Sequence, residues 1–182
     1  MKIWLRFILG LMIFTLTSAY AQTNQTSLPV EEVGDFSNMR FTEEHQYGYE
    51  VRLWKQGDNF FGLFSASAGL AGDTPTGLLE KISFVPSSGK LSFTARLTTG
   101  MTFVHDKETP SHDLFEFDGL LNGHSVSGNL KHQDMLFPAL KPEIEKIKLQ
   151  RQPTEATEPM PATYLEWRHE LDPMLKRLGP RW

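Results

Sequence analysis

Histidines and carboxylates gather in one region of this chain. His105-Asp106 and His112-Asp113 flank a charged stretch, and His124 and His132 follow further along. Imidazole and carboxylate are ligand types for zinc or a similar ion when they converge on one point. Neither the HExxH spacing nor an EF-hand loop occurs, and a charged stretch beside a strand end is ordinarily a solvated loop. No metal and no cofactor are assigned. Two matches to nucleophile motifs fail on context. Gly123-His124-Ser125-Val126-Ser127 lacks the final glycine of a nucleophile elbow and falls on a hairpin strand, whereas the elbow needs a strand-to-helix turn. Ser87-Ser88-Gly89-Lys90 has the Ser-x-x-Lys spacing, but it lies in a β-turn without the accompanying motifs. No catalytic residue is named, and the chain reads as a non-enzymatic protein.

The elements that must position these groups are strands. Leu114 to His132 holds two alternating runs around Asn122-Gly123, a pair suited to a tight type I′ turn. A two-residue loop there sets Leu121 against His124, Gly119 against Val126 and Phe117 against Gly128, with large residues facing small ones. It also places His124 on the rim of the apolar face, where a polar group can orient a ligand among aromatics. A second hairpin turns at Gly57-Asp58 and pairs Leu53 with Gly62, Val51 with Phe64 and Tyr49 with Ala66. On its other face Trp54 meets Phe61 and Arg52 meets Leu63, an apolar patch that requires a cover. The C-terminal segment is the expected lid; a protein partner docking on this patch is the alternative.

Further strands follow the same logic. Phe36 to Thr42 reads as the first strand, Leu78 to Val85 and Lys90 to Leu97 flank a four-residue turn at Pro86 to Gly89, and Ile144 to Gln150 is the last. A three-residue loop at Thr98-Thr99-Gly100 would keep Met101 and Phe103 on the apolar face opposite Leu97 and Ala95. Ser67 to Thr76 is small and Gly-rich, a candidate flap, and Asp106 to Asp113 reads as a loop. Gln133 to Pro142, with two prolines, cannot be a central strand. Beyond Gln152 to Pro161, a Pro-rich linker (152–161), Ala162 to Leu171 reads as helix. Asp172-Pro173 is expected to start a second short one, with Trp167, Leu171, Met174 or Leu175, and Leu178 forming an apolar stripe.

Residues 1–21 read as a secretory signal peptide: Lys2 and Arg6 are basic, Phe7 to Leu16 is almost wholly apolar, and Ala19-Tyr20-Ala21 offers small residues for cleavage. The apolar run is shorter than the ~20 residues of a bilayer span. Residues 22–33 read as a flexible leader and 34–151 as the folded domain. The net charge is −4, and loss of Lys2 and Arg6 takes it to −6, which with no basic cluster argues against nucleic acid. There is no cysteine, so an exported chain of this kind rests on core packing without disulfides.

The expected fold is all-β: an antiparallel meander of about eight or nine strands curved into a small barrel, or a sandwich, with a C-terminal helical segment (162–182). The architecture resembles lipocalin-like and avidin-like barrels, although no motif of either family occurs. The function expected is an exported, periplasmic or secreted, β-barrel protein binding a small apolar or amphipathic ligand. Its lining would come from Tyr49, Phe64, Phe93, Phe103 and Phe117, with His124 at the mouth. The alternative is an interaction module of the envelope or extracellular space, with Trp54, Phe61, Leu63, Trp167 and Leu171 as the partner surface. No membrane span is expected after cleavage.

Overall fold

The computed structural model describes residues 28–70, 74–153, 160–178 and 182, so the expected signal peptide and the first half of the leader lie outside the described residues. Among the described residues eleven strands precede one helix: β1 (Val30–Ser37), β2 (Arg40–Phe41), β3 (His45–Gln56), β4 (Asn59–Leu70), β5 (Thr76–Val85), β6 (Lys90–Leu97), β7 (Met101–Val104), β8 (Lys107–Pro110), β9 (Asp113–Leu121), β10 (Ser125–Asp134), β11 (Glu143–Arg151) and α1 (Tyr164–Leu178). The barrel is a closed antiparallel meander of eight strands, ordered β1-β11-β10-β9-β6-β5-β4-β3, with β1 also pairing β3 to complete the ring and the short β2 continuing beside β3. It is a barrel and not a sandwich. Inward positions hold one apolar core that includes Phe36, Leu53, Phe64, Leu91, Leu97, Leu130 and Leu149, all essentially inaccessible to solvent.

Alternation dictates most of this. The β3–β4 hairpin has the expected register throughout, from Gln56 opposite Asn59 to Tyr49 opposite Ala66. Gly57 at φ 61 supplies the positive-φ residue that the two-residue loop needs. A Cβ at Gly62 would lie 2.2 Å from the Arg52 carbonyl oxygen, so glycine is required there for the strands to approach. Outward positions carry charge, including the pairs Arg96–Glu80 (2.7 Å) and Lys131–Glu116 (2.8 Å). An apolar interior with a charged exterior inverts the pattern of a transmembrane barrel, whose apolar band faces outward. No helix among the described residues is long and apolar enough to cross a membrane.

Several expectations are corrected. The first strand starts at Val30, not Phe36, because Val30 has an apolar site to fill and Glu31 pairs with Lys55 of β3 at 2.9 Å. Met101 and Phe103 do not lie inside: β7 and β8 form a separate two-stranded ribbon turned at His105-Asp106, and both side chains are exposed. The edge of β6 that β7 was expected to occupy is taken by β9 over its whole length, from Lys90 opposite Leu120 to Leu97 opposite Asp113. The region from Asp106 to Asp113 therefore contains a strand, β8, rather than a loop. Likewise β4 extends to Leu70, leaving only the end of the expected flap, and residues 71–73 lie outside the described ones.

The β9–β10 turn is also shifted. Leu121 pairs with Val126, Gly119 with Gly128 and Phe117 with Leu130. The Asn122 side chain causes this, since its Oδ1 accepts the backbone N–H groups of His124 (2.9 Å) and Ser125 (2.8 Å). That Asx turn moves the centre to Gly123-His124. Side-chain parity is preserved, so the faces stand, but the large-against-small pairing expected here becomes glycine against glycine.

One helix replaces the two expected. α1 runs unbroken through Pro173, whose ring removes only the hydrogen bond to the carbonyl four residues earlier. Its stripe of Trp167, Leu171, Met174 and Leu175 stays in contact with the barrel on both sides of the proline. Asp172 is not an N-cap; it pairs with Arg168 one turn back at 3.1 Å.

Candidate functional site

The barrel is two groups of strands joined by short ladders. β1, β3 and β4 form one group; β5, β6, β9, β10 and β11 form the other. Between them, β4 meets β5 only at Leu63–Leu78, Phe64–Gly77 and Ser65–Thr76, and β1 meets β11 only at Phe36–Arg151 and Ser37–Gln150. Each junction is a seam, and each is closed by side chains.

The β4/β5 seam opens because β5 bends. Its register against β6 shifts between Glu80 and Ser83, and Lys81 sits at φ 50, a left-handed conformation uncommon for a residue with a Cβ. Beyond Leu78 the strand swings from β4, leaving a cavity of about 360 Å³ lined by Gln56, Asn59, Phe60, Phe61, Leu79, Lys81, Ile82 and Tyr164. Its walls come from two apolar cores. Phe60 and Ile82 pack against the barrel interior, where Phe60 meets Phe84 at 5.0 Å between ring centroids. Phe61 belongs to a second core outside the barrel, where Trp54, Leu63, Leu78 and Val30 are covered by Trp167 and Leu171 of α1. Tyr164, the first helical residue, meets Phe61 edge-on at 4.9 Å. The Tyr164 N–H donates to Gln56 Oε1 at 3.1 Å, fixing the helix start to the end of β3. Lys81 is the only charged residue in this lining.

Of the residues expected to line a ligand site, four come together. Tyr49, Phe64, Phe93 and Phe117 form a continuous aromatic column with Phe115: Tyr49–Phe64 5.9 Å, Phe64–Phe93 5.9 Å, Phe64–Phe115 5.1 Å and Phe93–Phe117 5.0 Å between centroids. These rings are packed on one another inside the barrel, and Phe64, Phe93, Phe115 and Phe117 are buried. Phe93 and Phe117 reach the surface only as part of a second, outer groove of about 380 Å³ whose other residues are mostly polar. Phe103 lies on the outer ribbon and His124 is exposed in the β9–β10 turn, so neither joins the column. The five residues expected as a partner surface, Trp54, Phe61, Leu63, Trp167 and Leu171, pack on each other as barrel face and lid.

At the far end of the column the inward groups are polar. His132 stacks on Phe115 (4.7 Å) and meets Asp113 Oδ1 at 2.7 Å. Asp113 Oδ2 also accepts the Ser111 hydroxyl (2.8 Å), the Thr99 hydroxyl (2.5 Å) and the Thr99 N–H (3.0 Å). Burial pushes the Asp113 carboxyl up, but the bonds from His132, Thr99 and Ser111 outweigh it and hold the carboxyl down at about 2. The hydrogen bond to Asp113 raises His132, against the opposing effect of its burial. Serine, histidine and aspartate meet here, but Ser111 donates to the carboxylate and not to the imidazole, so no base activates the hydroxyl. The group ties both stalks of the β7–β8 ribbon to the barrel. Among the described residues no group of three or more His, Asp or Glu side chains converges as metal ligands.

The second seam, β1/β11, has polar closures. The Tyr49 hydroxyl donates to Glu145 of β11. Arg151 donates to the carbonyls of Gly123 (2.8 Å) and Val33, and its guanidinium lies 5.1 Å from the Phe36 ring centroid. The Gln152 N–H donates to the Asp35 carbonyl at 2.8 Å.

The cavity residues Lys81, Ile82, Gln56, Asn59, Phe60 and Tyr164 were not singled out by the sequence reading. One signal points to the bend. Continuing the Val85–Lys90 pairing unbroken sets Glu80 against Ala95 and Leu79 against Arg96, a carboxylate inward and a leucine outward. A one-residue bulge resolves that conflict. Compared with family models, curated proteins and solved structures, the chain matches none of them. The class defined by fold and site is an eight-stranded up-and-down barrel with an outer helical clamp.

Proposed function

We propose that this is an exported, non-enzymatic barrel that binds a small amphipathic ligand, and that the ligand sits in the β4/β5 seam rather than among the stacked rings of the barrel centre. The observation that carries this reading is the cavity of about 360 Å³, near the lower end of the range of about 300–1,000 Å³ for small-molecule sites. It combines apolar walls, Phe60, Phe61, Leu79, Ile82 and the Tyr164 ring, with a few polar groups from Gln56, Asn59 and Lys81. That composition suits a ligand with one apolar and one polar end. Lys81 in the left-handed region is a further support, since strained backbone of this kind concentrates at binding sites.

Titration with a neutral environment-sensitive dye such as N-phenylnaphthylamine tests the site. Saturable binding to the wild type and its loss in Asn59→Trp, which puts an indole at the exposed start of β4, is the expected result. Equal binding by both proteins, or none by either, overturns the reading. Export rests on Lys2, Arg6, the apolar run Phe7 to Leu16 and Ala19-Tyr20-Ala21. N-terminal sequencing of protein recovered from outside the cytoplasm should begin at Gln22.

A further inference from the structure

We infer that the β4/β5 cavity takes a single-chain amphiphile with an anionic head group, its chain against Phe60, Ile82 and Tyr164 and its head on Lys81; the inference rests on the binding reading above. The charge distribution around the cavity sets the sign of the ligand. Lys81 is its one charged lining residue, and no carboxylate contributes to the wall. The nearest acid in sequence, Glu80, is held by both nitrogen–oxygen contacts to Arg96 (2.7 and 3.0 Å) across the β5–β6 ladder. The Lys81 side chain forms no ion pair or hydrogen bond among the described residues; it is exposed between the cavity mouth and the outer groove, where the carboxylates of Glu116 and Asp118 are already paired with Lys131 (2.8 Å) and Lys90 (3.4 Å).

The backbone explains why a lysine is placed there. An unbroken β5 alternates its side chains strictly, and the bulge adds one residue to that alternation. With Leu79 and Ile82 both turned to apolar surroundings, the two intervening residues, Glu80 and Lys81, stay out of the core. Glu80 joins the outer face with Arg96; Lys81, at φ 50, is left beside the opening. The other polar side chains are neutral. Gln56 is committed at both ends, accepting from the Tyr164 N–H and donating from Nε2 to the Leu28 carbonyl at 2.7 Å. Asn59 and the Tyr164 hydroxyl remain as hydrogen-bonding groups for an oxyanion held by the ammonium.

Displacement of the bound dye by decanoate, decyl phosphate, decanol and decylamine tests the inference on the full chain. Decanoate or decyl phosphate should displace the dye roughly tenfold more strongly than decanol, as expected for one charge-assisted contact at an open site, and decylamine should be weakest. Whichever anion is preferred identifies a carboxylate or a phosphate head. Lys81→Met should erase the preference while decanol binding persists, and Lys81→Arg should restore it; circular dichroism confirms that each variant is folded. If anions and alcohol compete equally in the wild type while Asn59→Trp blocks both, the cavity binds ligands but the anionic class is wrong. If none of the four displaces a dye that Asn59→Trp still blocks, the single-chain amphiphile class is wrong; if the dye itself does not bind, or binds both proteins equally, the binding reading falls.

Discussion

The two seams of the barrel solve the same problem with opposite chemistry. At β4/β5 three residue pairs and one hydroxyl bond, Ser65 to Thr76 at 2.8 Å, hold the paired end, and the rest is closed from outside, where α1 lays Trp167 and Leu171 over Trp54, Phe61 and Leu63. At β1/β11 two pairs hold the strands, and closure comes from directional bonds: Tyr49 to Glu145, Arg151 to two carbonyls, Gln152 to Asp35. Apolar contact is non-directional and tolerates a gap of the size found beside Phe60. A hydrogen-bonded latch has to meet distance and angle limits, so it leaves little room. The seam with the oily clamp accordingly keeps a cavity beside Phe60.

The clamp should be the costlier to break. Trp167 is almost fully buried among Trp54, Phe61 and Tyr164, and Trp167→Ala should cost about 3–5 kcal/mol in urea unfolding, the usual loss for a buried Trp cut to Ala. The backbone amides of β4 and Leu78 to Ile82 should lose hydrogen-exchange protection ahead of those in β9 and β10. A loss below about 1 kcal/mol would mean that α1 is an ornament and that the seam closes unaided.

Arg151→Met tests the opposite seam. Hydrogen bonds from charged groups are worth about 1.5–3 kcal/mol, but Arg151 is exposed, and screening should leave about 1 kcal/mol. The exchange protection lost should be that of Val33 to Ser37. Gly34 stands at φ 154, where an added Cβ would lie 2.8 Å from the Arg151 guanidinium. Gly34→Ala should accordingly be less damaging in Arg151→Met than in the wild type, and a strictly additive double mutant would deny the coupling.

How far these features could be read from residue order depends on whether their cause is local. The β3–β4 hairpin and the lid stripe of α1 depend on alternation, one glycine turn and helical spacing, all present in the chain as written. The β7–β8 ribbon depends on a competition that is not local: Thr98-Thr99-Gly100 is a sound three-residue loop, but β9 takes the edge that loop would have offered. The β9–β10 turn was misplaced because Asn122 acts through its side chain and not its backbone freedom. The seam was least legible of all, since lysine does not announce a positive φ; only the conflict of Glu80 and Leu79 with an unbroken register betrays the bulge at Lys81.

A smaller effect is expected at Tyr49. Burial, then its hydrogen bond to Glu145, pushes the phenol well above its ordinary range, so it stays a donor throughout the working pH range. Tyr49→Phe removes that bond while leaving the aromatic column, and should cost about 1 kcal/mol or less.

The smallest and most specific prediction concerns the outer face of the β1/β11 seam. Asp35 faces Arg52 of β3 in the ladder, with Glu50 and Glu32 nearby. Burial, then repulsion from Glu50, raises its carboxyl from 3.8 to about 6, with Arg52 only partly compensating. Asp35 Oδ1 is buried without a partner, and Arg52 Nε, although 3.0 Å from Glu50 Oε1, is not aligned for a hydrogen bond. A carboxyl that binds its proton more tightly folded than unfolded adds stability as the pH falls from about 6 towards 3.8, and that contribution is lost again as the pH rises back through about 6. Solvent at this half-exposed site reduces the effect to about 1 kcal/mol or less. Asp35→Asn should flatten the unfolding midpoint between these two pH values and match or exceed the wild type near neutrality. A pH profile unchanged by the substitution would place the titrating group elsewhere, and the seam would then be held by Arg151, Gln152 and Tyr49 without a charged weak point.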